Sequence, residues 1–156
     1  FRKVSYPVSS WKYGLVTLIT LFHDALIPAG LFSFLGWRFG AEADTNFIVA
    51  ILVVMGFSVH DTIVVFDRIR ENLLNAKNKE DLAGIINASV NQTFARSVNT
   101  SLTLVLVLLA LYLFGAPTLG HFTLLILLGT IIGTYSSIFI ASPLLTFLYQ
   151  KKVQNR

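Results

Sequence analysis

The chain has 156 residues, of which 54% are hydrophobic and only 13% charged, and its formal net charge is +4. Soluble domains carry about 25% charged residues, and the mean hydropathy of this chain is +0.70. This composition excludes a water-soluble globular protein. The chain also contains no cysteine, so disulfide and thiol chemistry do not arise within it.

Four apolar segments are each long enough to cross the hydrocarbon core of a bilayer, which takes about 20 helical residues. A polar loop separates the second segment from the third. The pattern predicts an all-α, polytopic transmembrane helix bundle that forms a single transmembrane domain over residues 1–156. The predicted spans are residues 14–36, 46–66, 94–115 and 121–149, and the predicted loop is residues 67–93.

Basic residues fall almost entirely on one side of these spans. Eleven of the twelve Lys and Arg residues precede the first span, lie between the second and third, or follow the fourth, and Arg38 alone lies on the other side. The positive-inside rule therefore predicts that both ends of the chain and the central loop are cytoplasmic.

The second half of the central loop has the pattern of an amphipathic helix. Its apolar residues recur at intervals of three and four, which is the helical period. We expect this helix to lie on the cytoplasmic membrane surface and to lead into the third span. A helix that transmits movement between the spans, as a lever, and a helix that only connects them would give the same pattern. The apolar positions are Leu82, Ile85, Ile86, Val90, Phe94 and Val98.

The segment GFSVHDTIVVFDRIREN, residues 56–72, places His60 and Asp61 inside the second span. Asp61 lies roughly 9 Å from the cytoplasmic end at helical rise, too deep for its short side chain to reach the interface. Hydrocarbon favours the neutral carboxyl, so Asp61 needs a partner or exchanges protons. Seven-residue spacing puts Arg68 on the face of Asp61 and Asp67 on the face of His60. A structural polar contact between helices is the alternative.

The third span offers a counter-charge for Asp61. The apolar run 102–115 is too short to cross a bilayer, so the helix is predicted to begin near Phe94 and to include Arg96. A polar stripe then runs down one face, and such a stripe belongs against other helices or water. Arg96 as an interface anchor, with its long stem extended to the cytoplasm, is the alternative. The stripe consists of Gln92, Arg96, Asn99 and Thr103.

His23 and Asp24 lie near the middle of the first span, where polar groups are most costly. Pro28 follows four residues after Asp24, so its ring crowds the carbonyl of Asp24 and cannot supply the helical donor. We therefore expect a kinked or locally opened helix with exposed polar groups. Either a supporting functional role or a structural one fits His23 and Asp24.

Small residues recur every four positions along the fourth span. They leave one helix face nearly bare, so that another helix, in this chain or in a partner subunit, can approach closely. This pattern predicts helix packing and no chemistry. The residues are Gly129, Gly133, Ser137 and Ala141.

Motifs for enzyme chemistry are missing from the sequence. We find no Gly-rich phosphate loop, no cluster of His and acidic residues at metal-ligand spacing, and no nucleophile elbow. We therefore expect no enzyme activity, no metal, no cofactor and no nucleic-acid partner. Energy for transport would come from a partner or from an ion gradient, and an ATPase is excluded for this chain.

Four blocks of the sequence together resemble the SecF family of the SecD/SecF protein-export complex, which belongs to the resistance-nodulation-division (RND) superfamily. The resemblance covers essentially the whole chain. The blocks are GFSVHDTIVVFDRIREN at 56–72, TLFHDALI at 20–27, NQTFARSVNTSLTLVLVLLALYLFG at 91–115 and GTYSSIFIASPLL at 133–145.

The resemblance implies a longer protein with six spans and a large extracytoplasmic domain between the first two. The abrupt start at Phe1 fits that expectation, since this chain would hold the last four spans, preceded by the tail of the second span, without the N-terminal span or that domain. The implied partners are SecD, the SecYEG channel, possible accessory translocon subunits, a preprotein and the lipid bilayer. The implied location is the bacterial cytoplasmic (inner) membrane, and the implied energy source is the proton gradient.

The resemblance also assigns a proton relay to Asp61 and Arg96, with an aspartate of SecD as the third member. In this hypothesis Asp61 alternates between a protonated state and a carboxylate paired with Arg96. His60 stands where the family more often has Asn, so it either titrates beside Asp61 or serves as a hydrogen-bond partner. Two other functions remain open: an RND-type proton-coupled exporter of small molecules or lipids, and a structural subunit in which Asp61 is only a packing contact.

Overall fold

The computed structural model describes residues 10–40, 44–76 and 82–154, and for residues 10, 39 and 149–154 it describes the backbone alone. Every regular element in these ranges is helical. In chain order they are α1 (Ser10–Phe39), α2 (Thr45–Asn75), α3 (Leu82–Phe114), a short 3₁₀ turn (Pro117–Leu119), α4 (Gly120–Ser136), a π-helical turn (Ser137–Ala141) and α5 (Ser142–Gln154).

Four helical segments are long and apolar enough to cross a membrane: Trp11–Arg38, Thr45–Asn75, Leu82–Phe114 and Pro117–Leu148. The predicted all-α class with four spans is confirmed. The predicted loop 67–93, however, is mostly helix, because α2 continues to Asn75 and α3 already begins at Leu82. Among the basic residues used for the orientation, Arg2, Lys3, Lys77, Lys79 and Arg156 lie outside the described residues.

The amphipathic segment is present as the first turns of α3, and the beginning of its apolar face is buried. Leu82 and Ile86 lie in one apolar cluster with Ile69 of α2 and Leu145 of α5. Farther along the same face, Phe94 is 44% exposed. The predicted position on the membrane surface is therefore wrong for the first turns of this helix. The sequence pattern shows that one face is apolar, but it does not show that α2 extends far enough to cover it.

Polar contacts also join the start of α3 to the end of α2. The side chain of Asn72 donates to Ser89 Oγ at 2.8 Å. Arg68 Nε donates to Gln92 Oε1 at 2.7 Å. These bonds and the apolar cluster hold the two helices together beyond the predicted span ends.

α1 continues through Pro28 without interruption. Asp24, whose carbonyl faces the proline ring, is fully buried. The expectation that polar groups would be exposed here was therefore wrong for Asp24, whereas the neighbouring His23 side chain is 34% exposed. Neighbouring helices supply hydrogen-bond donors to the Asp24 side chain, so it does not need water.

The interior of the bundle has two apolar clusters with a polar layer between them. The first contains Tyr13, Phe66 and Ile86, among others, and the second contains Phe32 and Leu125. On each of the four spans, buried polar residues fall in chain order between the residues of these two clusters. They include Thr20, Asp24, Ser58, Asp61, Thr62, Ser97, Ser101, Thr130, Ser136 and Ser137.

Candidate functional site

The polar layer contains both buried carboxylates of the described chain, Asp24 and Asp61. Their side chains are 0% and 6% exposed, respectively. A buried carboxylate is costly unless hydrogen bonds or a counter-charge stabilise it. The partners of each carboxylate therefore indicate what each can do.

Asp61 lies where α2 meets α3 and α4. Ser97 of α3 and Ser137 of the π turn are its nearest hydroxyl neighbours. Ser137 Oγ also lies 2.9 Å from Thr62 Oγ1 on α2. Within the described residues, neither Asp61 Oδ2 nor Ser97 Oγ has a hydrogen-bond partner. The carboxyl group is thus buried beside hydroxyls but is not fully satisfied.

Arg96 does not pair with Asp61 in this conformation. No ion pair between the two occurs among the described residues, and Arg96 is exposed on α3. It lines a groove of about 450 Å³ between α2 and α3, together with Asp67, Glu71 and Gln92. Its sequence neighbour Ser97 occupies the position beside Asp61, because consecutive helical residues point in different directions.

The other charged residues near the end of α2 bind one another. Arg68 Nη1 lies 2.7 Å from Glu71 Oε2, and Arg70 Nη1 lies 3.9 Å from Asp67 Oδ1. Arg68, although it shares a helical face with Asp61, is thus directed toward Glu71 and Gln92. His60 is exposed on α2.

Asp24 connects three helices through its side chain. Ser58 of α2 and Ser136 of α4 both donate hydroxyl hydrogen bonds to Asp24 Oδ2. His23 Nδ1 lies 2.8 Å from Asp24 Oδ1, and 34% of the His23 side chain is exposed. Asp24 is therefore fully buried and fully bonded, whereas its histidine partner reaches the surface of the bundle.

Both carboxylates lie at the contact between α2 and the fourth span. Ser58 precedes Asp61 by three residues on α2, which is about 4.5 Å along the helix axis. Ser136 and Ser137 are consecutive on the α4 side, one beside Asp24 and the other beside Asp61. The sequence identified both carboxylates but missed the role of Ser58, Ser136 and Ser97, because a serine in an apolar helix looks the same whether it bonds its own helix or a neighbour.

The stripe of small residues lies at the crossing of α2 and α4. A Cβ atom at Gly129 would lie 2.3 Å from Val54 Cγ2, and one at Gly133 would lie 3.2 Å from Ser58 Cβ. Ser137 and Ala141 continue the stripe and are buried. The small residues thus allow α2 and α4 to approach closely enough for the hydroxyl contacts of the polar layer.

The π turn shifts the helix register at the point where the stripe meets Asp61. Pro143 has no amide hydrogen to donate to the carbonyl of Phe139, and its ring crowds that carbonyl. A wider turn just before the proline relieves this conflict, and π turns often mark functional sites in helices. The turn comprises residues Ser137–Ala141.

Asn99, the remaining predicted supporting residue, is exposed on α3, as are Gln92, Arg96 and Thr103. The polar stripe therefore lies on the outside of this four-helix unit.

A protein-family profile, described as protein export membrane protein SecD/SecF, C-terminal, matches residues 8–151. The chain belongs to this family. The resemblance seen in the sequence blocks is thereby confirmed. The family assignment and the four apolar helices together show that the chain is part of a multi-pass membrane protein.

Curated relatives and solved structures agree with this assignment. The protein translocase subunit SecF of Thermobaculum terrenum is 54% identical over 145 residues, which cover 93% of this chain and 44% of that protein. The SecF subunit of Sebaldella termitidis is 49% identical over 142 residues, which cover 91% of this chain and 45% of that protein. The chain thus spans less than half the length of these relatives.

Two crystal structures of SecDF have the same fold. One, described as a super-membrane-facing form, matches with a TM-score of 0.82 at 40% identity and covers 93% of this chain and 19% of that one. The other, a translocon-associated membrane protein from a Thermus species, also has a TM-score of 0.82, at 39% identity, and covers 95% of this chain and 19% of that one. In both, a SecF-type part is combined with SecD.

Proposed function

We propose that this chain is the proton-coupling membrane part of a SecF-type subunit that assists preprotein translocation across the bacterial cytoplasmic membrane. It works with SecD and beside the SecYEG channel, with the proton gradient as its energy source and no cofactor. The observation that carries this proposal is the buried carboxyl of Asp61 in a member of the SecD/SecF family, with no partner for its Oδ2 in the part of the chain that the structure describes.

The state of Asp61 supports proton exchange because an ionised carboxylate with an unsatisfied oxygen is costly inside a membrane bundle. A proton on Oδ2 removes the charge, and a guanidinium group brought to Oδ2 compensates it. Arg96 adjoins Ser97, which already faces Asp61. Movement of α3 against α2 can therefore exchange the serine for the arginine as the partner of Asp61.

This exchange provides two helix arrangements whose populations depend on protonation. Protons moving inward supply about 2.3 kcal/mol per charge for each 100 mV of membrane potential and about 1.4 kcal/mol for each pH unit. The α2 to α3 movement would be passed to the extracytoplasmic domain of the whole protein. The proposed orientation in the membrane places both ends of the chain and the connection between α2 and α3 in the cytoplasm. The basic residues in these segments support it, because the positive-inside rule places them there.

The test is to measure preprotein export in inverted membrane vesicles that contain the full-length protein with SecD, comparing wild type with Asp61→Asn. Asparagine is neutral and nearly isosteric, so assembly with SecD is expected to persist. Stimulation of export by the proton gradient is expected to fall to the level measured without a gradient. Thr130→Val is the matched control, since Thr130 is buried but donates only to the carbonyl of Ile126 in its own helix.

Unchanged gradient stimulation in an assembled Asp61→Asn complex would contradict the proposal and favour a structural subunit. An exporter of small molecules or lipids is distinguished by its cargo. It would lose proton-driven efflux on Asp61→Asn while preprotein export stayed the same in wild type and variant.

A further inference from the structure

We propose that His23 and Asp24 form a second proton-binding site, separate from Asp61 and coupled to it through the contact between α2 and α4. The inference rests on the proposed function, since a second proton-binding site contributes to activity only if proton movement drives the protein. It is carried by the imidazole to carboxylate contact at 2.8 Å, the complete burial of Asp24 and the two hydroxyls that connect Asp24 to α2 and α4.

The charge of the pair favours proton binding. With neutral His23 and ionised Asp24, the pair carries one negative charge near the middle of a membrane span, where an uncompensated charge is costly. One added proton makes the pair an imidazolium next to a carboxylate, with no net charge. Imidazole takes up a proton in the physiological pH range, so this site can fill and empty under a proton gradient.

The surroundings of Asp24 offer few other titratable groups. From α4 the facing side chain is the hydroxyl of Ser136, and from α2 it is the hydroxyl of Ser58. Asp61 is the next titratable group along that face of α2, one turn from Ser58. Among the described residues, Asp61 is therefore the charged group on α2 that can influence the pair formed by His23 and Asp24.

Coupling to Asp61 follows from the shared helices. Asp24 binds Ser58 and Ser136, while Asp61 lies beside Ser137, which contacts Thr62. Each carboxylate thus holds a serine of the α4 side next to a residue of α2. A proton on His23 compensates the charge of the Asp24 carboxylate, and a proton on Asp61 removes its charge. Either change weakens the hydroxyl bonds of that carboxylate and alters how α2 crosses α4, which affects the other site.

The position of the pair suggests an order of proton binding. With the N-terminus of α1 cytoplasmic, Ser58 and its partner Asp24 lie about 4.5 Å farther than Asp61 from the cytoplasmic end of α2. Protons moving inward would then reach His23 and Asp24 first and Asp61 second.

The deciding variant is His23→Gln in the full-length protein assembled with SecD. A glutamine amide can still donate a hydrogen bond to Asp24, but it cannot carry a proton. If His23 serves only as a hydrogen-bond partner, gradient-driven export keeps its pH profile in His23→Gln, whereas a proton-binding site coupled to Asp61 loses that profile.

The measurement is proton uptake by the purified complex in lipid nanodiscs after a pH jump from about 8 to about 5, the range in which histidine titrates. We expect His23→Gln to take up about one proton fewer per complex than wild type. His60 and His121 are present in both proteins, so their contributions cancel. We also expect the pH profile of gradient-driven export to shift. Thr130→Val again serves as the control and should match wild type in both assays.

Uptake and pH profile identical to wild type in assembled His23→Gln would overturn the inference. Asp24→Asn removes the carboxylate that stabilises the imidazolium, so proton uptake at His23 is expected to move to lower pH. His23→Gln decides alone if Asp24→Asn does not assemble. Asp61→Asn measured in parallel separates the two proposals. Lost export stimulation in Asp61→Asn with a normal His23→Gln rejects only the second site. Retained stimulation in Asp61→Asn with reduced uptake in His23→Gln rejects the proposed function while the second site stands.

Discussion

At the residue scale, Asp24 and Asp61 show how the same side chain acquires different properties from its hydrogen bonds. Asp24 accepts two hydroxyl bonds and contacts a histidine. Asp61 retains a buried oxygen without a partner among the described residues. Hydrogen bonds to a carboxylate stabilise its ionised form, and a missing bond favours the neutral form. Asp61 is thus the carboxylate whose side chain, among the described residues, leaves an oxygen available to a further donor.

Gly129 permits the close approach of α2 and α4, and Gly129→Ala is expected to destabilise the protein. The added methyl group would lie 2.3 and 2.6 Å from the two methyl carbons of Val54, which is fully buried. Overpacking of this kind costs about 1–3 kcal/mol. The measurement is the thermal unfolding midpoint of the purified full-length protein in detergent, which should fall.

Gly56→Ala is the matched control for Gly129→Ala. Gly56 lies within α2, as Gly129 lies within α4, but nothing comes within 4 Å of a Cβ placed at Gly56. The substitution should leave the midpoint unchanged or raise it, since alanine favours helix by up to about 1 kcal/mol. A double variant with Val54→Ala should recover much of the loss. Equal midpoints for Gly129→Ala and Gly56→Ala would refute the steric explanation.

At the scale of elements, the first turns of α3 are part of the folded core. Ile86 is 4% exposed and packs with residues of α2 and α5. Ile86→Ala is therefore expected to cost about 2–5 kcal/mol of unfolding free energy, the usual range for a buried aliphatic residue. Detergent-induced unfolding of the purified full-length protein, followed by circular dichroism, measures this loss.

Leu74→Ala provides the comparison for Ile86→Ala. Leu74 lies in the same region, near the end of α2, but is 43% exposed. Its truncation should change stability by less than about 1 kcal/mol, because little buried volume is lost. If the two variants were equally stable, the start of α3 would instead lie apart from the bundle, as the amphipathic pattern alone had suggested.

The π turn is a second feature at this scale. It comes between α4 and α5 and ends two residues before Pro143. Ser136, which binds Asp24, directly precedes it. Its first residue is Ser137, whose hydroxyl lies beside Asp61. π turns within α-helices are rare and often occur at functional sites.

At the scale of the whole molecule, the exposed polar stripe of α3 indicates that this four-helix unit is not complete by itself. Asn99 and Arg96 lie on the surface of a helix that crosses the membrane. Polar groups in spans almost always face other helices or water. The family pairing with SecD supplies a candidate to cover this face, and the chain corresponds to only 19% of the related SecDF structures.

A photo-crosslinking residue at position 99 is therefore expected to cross-link to SecD in membranes that contain both full-length proteins. The reference position is Phe22, which is 67% exposed on α1 and lies next to the exposed Leu18 and Leu26 along its face. A crosslinker there should react mainly with lipid. Cross-linking at position 22 but not at position 99 would show that SecD covers a different face.

Much of this architecture follows from the sequence alone because the bilayer core contains no water that could bind exposed backbone or charged groups. Long apolar runs must form helices that satisfy their own backbone, so the number of spans and the all-α class could be predicted. An ionisable residue within a membrane span is energetically costly, so Asp24, Asp61 and Arg96 could be recognised from the sequence as candidate functional residues. The small residues of the fourth span identified a packing face before any neighbour was known.

Only the tertiary structure decided which groups meet. Arg96 and Ser97 are adjacent in sequence, yet the fold turns Ser97 toward Asp61 and leaves Arg96 in the groove. Ser58 and Ser136 look like ordinary small residues until α2 and α4 cross and direct both hydroxyls to Asp24. Helical periodicity fixes the face on which a side chain lies, but the partner across that face depends on the rotation and crossing of a second helix, which no local pattern specifies.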